Sequence, residues 1–369
     1  VHIVHLIARL NDGGPARVVA MLAQALSARG HRVTVLAGSC QDGERDLSAE
    51  LRLDGVEVET IPGLARRLHP LADARSLALV IARLRALRPA LVHSHTAKAG
   101  TLARLACRWL HLPCLHTYHG HVLRGYFARA PAMAAWLCER LVAGNAHHQA
   151  LTASQLGELS TRLGIGRRRR WHCLAIPVEV PVRAVASWQQ RLLPGVPVIG
   201  YLGRFAAVKD PLLWLEALAR LGSGRAVQGL MCGDGALRAS CEARAAALGV
   251  RVVFTGFVPA GEALAACAVL LMTSRNEGLP LAALEAGGLG VPVVAPAVGG
   301  LADLVGMGAV EGARRTPQAL AEACLGLLAD GPRRQRRITA ASALARSLAP
   351  ATLAPAYEEL YRAIIPGGT

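Results

Sequence analysis

The 369-residue sequence predicts an α/β protein built as two doubly wound halves, each a parallel sheet with helices on its faces. Three observations predict it. Short apolar runs rich in Val, Ile and Leu alternate with amphipathic helical runs along the chain, the pattern of consecutive βαβ units. The alternation stops over a proline-rich stretch, Pro177 to Pro197, and then begins again. The length suits two domains of ordinary size, and 53% apolar residues punctuated by 38 Gly and 20 Pro give a globular profile. The expected division is a first domain over 1–178, a linker over 179–196, a second domain over 197–345 and a closing helical segment over 346–369.

In the first half the apolar runs predict strands near 2–7, 32–37, 56–61, 90–94, 113–117 and 149–153, with helices over 15–29, 74–88, 98–110 and 132–144. Over 74–88, Leu77, Val80, Ile81, Leu84 and Leu87 recur at helical spacing while Arg75, Arg83, Arg85 and Arg88 take other positions. That is a core-facing helix with a wet arginine side. In the second half the strands fall near 197–201, 226–231, 251–255, 268–272 and 292–295, and the helices over 210–220, 236–247, 261–267, 280–289 and 317–329. After Gly331 the chain reads as helical to its end, with Tyr357, Leu360, Tyr361 and Ile364 as an apolar stripe. Two such halves predict a ligand cleft at the carboxyl ends of their strands.

Composition narrows the function. The formal charge is +16, and it is uneven: residues 1–185 hold 24 Lys and Arg against 12 Asp and Glu, residues 186–369 hold 17 against 13. A half so basic attracts anions such as a membrane surface or a phosphorylated acceptor. Nucleic acid is not expected, because aromatics are only 4% of residues and no helix-turn-helix, zinc-finger or RNA-recognition signature is present. Nine scattered cysteines with no Cys-x-x-Cys pair predict reduced thiols and a cytoplasmic setting. Val1 to Ala8 reads as a first buried strand rather than a signal segment, and the apolar stretch Ala286 to Ala302 is too broken by Gly and Pro to span a membrane. Only two of the 41 basic residues are lysines, Lys98 and Lys209, which singles them out as places where a compact point charge is wanted.

The most informative stretch runs from Thr273 to Gly300. A buried strand (Ala268 to Met272) empties into a polar loop carrying Glu277, and a helix opens at Gly278-Leu279-Pro280, where proline suits a first turn. Glu285 follows eight residues after Glu277, about 7–8 Å along the helix axis from Pro280. Two carboxylates beside a helix N-terminus suit a ligand with a phosphate between two hydroxyl-rich ends. Because its helix neighbours are apolar, Glu285 is expected to be buried and to need partners. Three further groups point to the same ligand. Gly13-Gly14-Pro15, between the first strand and the first helix, lets backbone approach a phosphate. Arg204 and Lys209, again between a strand and a helix, would neutralise a diphosphate leaving group, work often given to a metal. No Asp-x-Asp pair occurs in the chain, so metal-independent phosphate handling is expected. The histidines His93, His95, His116, His119 and His121 have spacing that suits zinc, yet no Cys or carboxylate stands beside them to complete a set. The preferred reading is one histidine lining the cleft and the others structural, with no metal site. Gly233-Asp234-Gly235 and Phe254 to Val258 are loops fit to border a nucleobase.

Taken in order, Gly13-Gly14, Thr117-Tyr118-His119-Gly120, Gly203-Arg204 with Lys209, Gly233-Asp234-Gly235 and Glu277-x7-Glu285 resemble the motifs of retaining, nucleotide-sugar-dependent glycosyltransferases of family 4, with the GT-B fold. The resemblance covers essentially the whole chain. The stretches 93–106 and 116–127 are similar to the branch common in surface-polysaccharide and glycoconjugate pathways. It implies two Rossmann-like domains, a C-terminal helix crossing back onto the first, and transfer of a sugar with retention. The donor implied is a UDP-hexose or UDP-N-acetylhexosamine, and the acceptor a lipid-linked saccharide, another glycan or a natural product, with no cofactor and no essential metal. By match, Arg204 and Lys209 hold the diphosphate, assisted by backbone at Gly13, Gly14, Gly278 and Leu279. Val258 lies on the donor side, Glu277 takes sugar hydroxyls, Glu285 takes the ribose, and His119 lines the reaction centre. A peripheral site at the inner membrane face fits the basic first half. Two departures stand out. Ile176-Pro177-Val178-Glu179-Val180 replaces the usual Ile-Pro-Asn-Gly-x-Asp, and Ala286-Gly287-Gly288 puts glycines where a helix-forming run is usual, which should loosen that helix by about 0.5–1 kcal/mol per position. The rival readings are a nucleotide-sugar epimerase of the same architecture, which would need no acceptor, and a non-catalytic basic adaptor for membranes or other anions.

Overall fold

The computed structural model describes residues 1–40, 44–64, 69–120, 129–144 and 146–366. The chain forms two compact units, one of Val1–Pro177 together with Leu348–Thr369, the other of Val178–Ser347. Each is a parallel α/β sheet, matching the fold class read from the sequence.

The first unit has strands β1 (His2–Ile7), β2 (Arg32–Ala37), β3 (Glu57–Thr60), β4 (Leu91–His95), β5 (Cys114–Thr117), β6 (His147–Ala150) and β7 (Trp171–Cys173), in the sheet order β3-β2-β1-β4-β5-β6-β7. All pairings are parallel; β1, for example, pairs His2 with Arg32 on one side and Ile3 with Leu91 on the other. Strands buried on both faces read as unbroken apolar runs, which is why β1 and β2 are plain in the sequence. The helix Pro70–Leu87 turns Val80 and Leu84 into the core, with Leu77, Ile81 and Leu87 half-buried against it. Arg83 lies on its other side, paired with Glu59.

The closing region divides into two helices, Gly331–Ser347 and Pro350–Ile364, because Pro350 cannot continue the first. The second belongs to the first unit. Its buried stripe includes Tyr357 and Tyr361, each 1% exposed. Tyr357 Oη donates to the Ala175 carbonyl at 3.0 Å and accepts from Gln149 at 2.8 Å, while Glu358 takes Arg29 at 2.6 Å and His31 at 2.9 Å.

The second unit has β8 (Val198–Leu202), β9 (Gln228–Cys232), β10 (Val252–Gly256), β11 (Val269–Leu271), β12 (Val293–Pro296) and β13 (Glu311–Ala313), in the order β10-β9-β8-β11-β12-β13. Its core packs Trp214, Leu215 and Leu218 of the helix Pro211–Gly222 against Ile199, Met231 and Leu271 of the sheet. In both sheets the order reverses at one place, between β1 and β4 and between β8 and β11. Ligands in such sheets bind outside the carboxyl ends of the strands at that reversal.

Several elements differ from the sequence reading. Strands β7 and β13 and the helices Ser48–Leu53 and Gly300–Gly306 carry no apolar run or periodicity long enough to announce them. Strand β6 lies two to three residues earlier than expected. The helix after Glu277 spans Leu281–Gly288, so Pro280 is its cap rather than its first residue. Gly287 and Gly288 have a packing role in it. A Cβ on Gly287 would lie 2.6 Å from Ala341 Cβ, and one on Gly288 2.4 Å from Val180 Cγ2. The glycines that lower helix propensity here are what let the helix Gly331–Ser347 and the segment at Val180 approach.

Candidate functional site

In the second unit the strands on either side of the reversal, β8 and β11, each empty into a loop that carries predicted residues. After β8 come Gly203, exposed Arg204, Lys209 and Asp210. After β11 come Thr273, Ser274 and Glu277. The two loops are bonded together. Lys209 Nζ meets Glu277 Oε1 at 2.5 Å, and Ser274 Oγ donates to the same oxygen at 2.6 Å. Thr273 Oγ1 lies 3.0 Å from the Lys209 carbonyl and 2.8 Å from that of Asp210. Asp210 holds a left-handed conformation (φ 50°) directly before Pro211, a position any non-glycine residue occupies at a cost of about 1–3 kcal/mol. What holds it there is visible: Arg275 and Arg315 both pair with its carboxylate. Lys209 is therefore aimed by a clamped backbone, with its side chain 24% exposed and that of Glu277 9%.

Glycines bring the remaining backbone close. Gly300 N–H donates to the Glu277 carbonyl at 3.1 Å, and a Cβ on Gly300 would fall 1.7 Å from the Gly278 carbonyl oxygen. A Cβ on Gly299, at φ 51°, would lie 2.1 Å from the Glu277 oxygen. Among the described residues the buried Gly278 and Leu279 amides donate to no other group, so two N–H groups stand beside Glu277 at the start of the Leu281–Gly288 helix. Glu285 lies in that helix, 2% exposed. Behind Arg204, the Phe205 amide donates to the Asp234 carbonyl at 2.8 Å and Gly233 N–H to that of Gly256 at 2.7 Å. A side chain at Gly235 would meet the Phe205 carbonyl at 2.6 Å. Val258 is half-buried against the core cluster with Val198, Leu230 and Val253. Its contact is with the unit's own core.

In the first unit Gly13 caps the helix Gly14–Ala28, with Pro15 in its first turn. Gly13 has φ −91°, so its freedom at positive φ is not used; its amide lies 3.3 Å from Asn11 Oδ1. Exposed Gly14 opens the helix. The histidines gather near the ends of β1, β4 and β5. His93 is hydrogen-bonded to Tyr361 Oη at 2.7 Å and to Thr117 Oγ1 at 2.6 Å, and His116 to Ser94 at 3.0 Å. A side chain at Gly100 would strike the His116 ring at 2.2 Å. His95 joins His5 at 3.1 Å and His119 at 2.9 Å. Burial pushes the His5 ring down to about 3 and that of His119 to about 4, and holds His93, His95 and His116 well below the usual imidazole range. All five are neutral at physiological pH. His121 lies outside the described residues.

One ring nitrogen each of His5, His93 and His95 lies within 4.8 Å of the other two, as metal ligands do. Those of His93 serve Tyr361 and Thr117, however, and one each of His5 and His95 serves the other. The donor set is organised as hydrogen bonds. The other rare lysine, Lys98, is 9% exposed and paired with Asp73.

Sequence reasoning singled out Lys209 and Glu277 separately, and the structure joins them. Among the described residues no hydrogen bond joins either to the Arg204 side chain. The structure adds Thr273, Ser274, Asp210, Arg275, Arg315 and His5. The signals for these were a polar run beside Glu277 and a lone histidine inside an apolar strand. No helix of the described residues is long and apolar enough to cross a membrane.

Known proteins complete the picture. "Glycosyl transferase 4-like domain" matches residues 13–178 and "Glycosyl transferases group 1" matches residues 196–330. A 2-deoxystreptamine glucosyltransferase of Streptomyces kanamyceticus is 46% identical over 118 residues, which is 30% of this chain and 30% of that protein. A D-inositol 3-phosphate glycosyltransferase of Corynebacterium urealyticum is 31% identical across 74% of this chain and 71% of its own length. The structure of Anabaena HepE in complex with UDP-glucose superposes with a TM-score of 0.81 at 22% identity, over 98% of this chain and 99% of that one, and carries the same fold. The chain belongs to the glycosyltransferase family with group 1 and 4-like domains, and its two parallel α/β sheets are those of the GT-B fold.

Proposed function

We propose that the chain is a retaining glycosyltransferase that moves a sugar from a nucleoside diphosphate donor to a hydroxyl acceptor without a metal. The donor proposed is a UDP-hexose or UDP-N-acetylhexosamine, and the acceptor a lipid-linked saccharide or a small natural product. The observation that carries this reading is the Lys209–Glu277 contact beside two amides at a helix start. A cation and N–H donors there suit a diphosphate, and a carboxylate beside them suits the hydroxyls of the attached sugar. Arg204 makes no ion pair among the described residues and supplies a second cation. Glu285 is assigned to the ribose, and backbone at Gly13-Gly14 to the phosphates. His119 is assigned to the sugar.

In the reaction proposed, the bond from the anomeric carbon to the leaving phosphate oxygen breaks as the acceptor oxygen bonds to that carbon on the same face. The acceptor proton passes to the departing phosphate. The protein forms no covalent intermediate, and its cations stabilise the developing charge. Both family matches are glycosyltransferase domains, so the epimerase reading is not favoured. The basic first half favours an acceptor held at an anionic membrane face over a free one.

A panel of nucleotide sugars screened by thermal shift, followed by turnover with lipid-linked and soluble acceptors, tests the reading. The expected product keeps the donor's anomeric configuration, read by proton NMR, and forms at an undiminished rate in a metal chelator. Inversion, complete loss of turnover on chelation, or interconversion of the donor sugar with no acceptor present would each overturn it.

A further inference from the structure

The run His5–His95–His119 has a direction, and that direction decides what His119 offers a ligand. His5 Nδ1 lies 3.1 Å from His95 Nε2, and His95 Nδ1 lies 2.9 Å from His119 Nε2. His5 is 0% exposed and His95 1%, and no carboxylate is hydrogen-bonded to any of the three among the described residues. Each ring is thus a neutral imidazole with one N–H and one lone pair. Such a run has only two settings, with every proton facing outward or every proton facing inward.

The inner end chooses between them. His5 Nε2 is buried and has no hydrogen-bond partner among the described residues. If it carried the proton, a buried N–H would be left unsatisfied. If it does not, only a lone pair is. Among backbone groups, orphaned buried N–H donors are rarer than under-satisfied acceptors, and the same preference keeps the proton off His5 Nε2. The proton therefore sits on His5 Nδ1 and is donated to His95 Nε2. This leaves the His95 proton on Nδ1, donated to His119 Nε2, and the His119 proton on Nδ1.

The neighbouring His93 follows the same logic independently. Thr117 Oγ1 donates to Gln149 Oε1 at 2.6 Å, so it accepts from His93 Nε2, and Tyr361 Oη donates to His93 Nδ1. The backbone is strained at this point. Thr96, directly after His95, has φ 64°, which a β-branched residue adopts at a cost and which clusters at functional positions.

We infer that His95, closed off by His5, is a positioning residue that fixes His119 as an Nδ1–H donor to a hydroxyl oxygen of the transferred sugar rather than as a proton acceptor. The inference rests on the proposed glycosyltransfer for its ligand, but the tautomer itself does not. His119 then cannot serve as the base that deprotonates the acceptor, and the half-buried ring holds the sugar by one directed bond.

The test is a long-range proton–nitrogen correlation spectrum of the uniformly 15N-labelled protein, with His119 assigned by its loss in His119→Gln. The expected result is a neutral His119 ring protonated at Nδ1 at pH 7. A ring protonated at Nε2 overturns the inference, as does one equivalent of bound metal that is lost in His5→Ala. In His95→Phe, checked for folding by its melting curve, the ring reverts to a mixture of tautomers. There kcat is expected to fall about tenfold or more, with the donor KM changing less. Unchanged kcat in folded His95→Phe also overturns it. Should His95→Phe fail to fold, the spectrum of the unaltered protein still decides. Nδ1 protonation in a protein that turns over no nucleotide sugar would instead count against the proposed function alone.

Discussion

Lys209 is where the residue scale is most demanding. A lysine 24% exposed and in contact with a carboxylate is held in one place only if its backbone is. Here Asp210 is fixed by Thr273, Arg275 and Arg315. Lys209→Ala is expected to lower kcat by about 10²–10³, as removal of a positioned charge stabiliser does, and steady-state kinetics with the preferred donor would show it. Turnover at the original rate would remove Lys209 from the chemistry. Of this site, Glu277, Arg204 and Lys209 were legible in the sequence because each follows an apolar strand and precedes a helix. The clamp was not, because Asp210 and Arg315 stand 105 residues apart and nothing local announces their meeting.

At the scale of elements, the glycines at 299 and 300 matter more than their modest appearance suggests. They let the start of the Gly300–Gly306 helix lie against the backbone of Glu277 and Gly278. In Gly300→Ala the new methyl carbon would meet the Gly278 oxygen at 1.7 Å, so backbone must move. Both the melting temperature and the donor affinity are expected to fall. Gly306→Ala, with nothing within 4 Å of the added carbon, is the matched control and should be neutral or stabilising by up to about 1 kcal/mol. Equal donor affinity in the two folded variants would dissociate this contact from the site. The same region marks the limit of sequence reading. The helix Gly300–Gly306 opens on a glycine pair, which reads as loop, and β13 contains Glu311, which reads as surface. Glu311 is buried, yet the hydrogen bonds of Arg333 and Arg337 hold its carboxyl below the usual range despite the upward push of burial. Tertiary pairing overrides the local pattern at both places.

For the molecule as a whole, the largest organising fact is that the last helix belongs to the first unit. The apolar stripe of Tyr357, Leu360, Tyr361 and Ile364 was readable, while the polar partners were not, since Glu358 meets Arg29 across 329 positions. Hydrogen bonds from Arg29 and His31 pull the Glu358 carboxyl from an ordinary 4.5 down to about 2. A carboxyl depressed in the folded state contributes stability above its unfolded pKa and loses it as pH falls toward the folded value. The stability difference between the unaltered protein and Glu358→Gln should therefore be full near pH 6 and smaller near about pH 3.5, read from urea midpoints. A difference that stays constant or grows on acidification would mean that the charge on Glu358 is not what holds the helix.

A chain of 369 residues with two lysines offers amine-directed reagents very few side chains. Lys98 is 9% exposed and paired with Asp73, so Lys209 is the more accessible of the two ε-amines. Among the lysine side chains, mild acylation followed by peptide mass mapping would thus label the loop after β8 in preference to Lys98. How far a bound nucleotide sugar slows that labelling would report occupancy of the native sequence, without altering a residue.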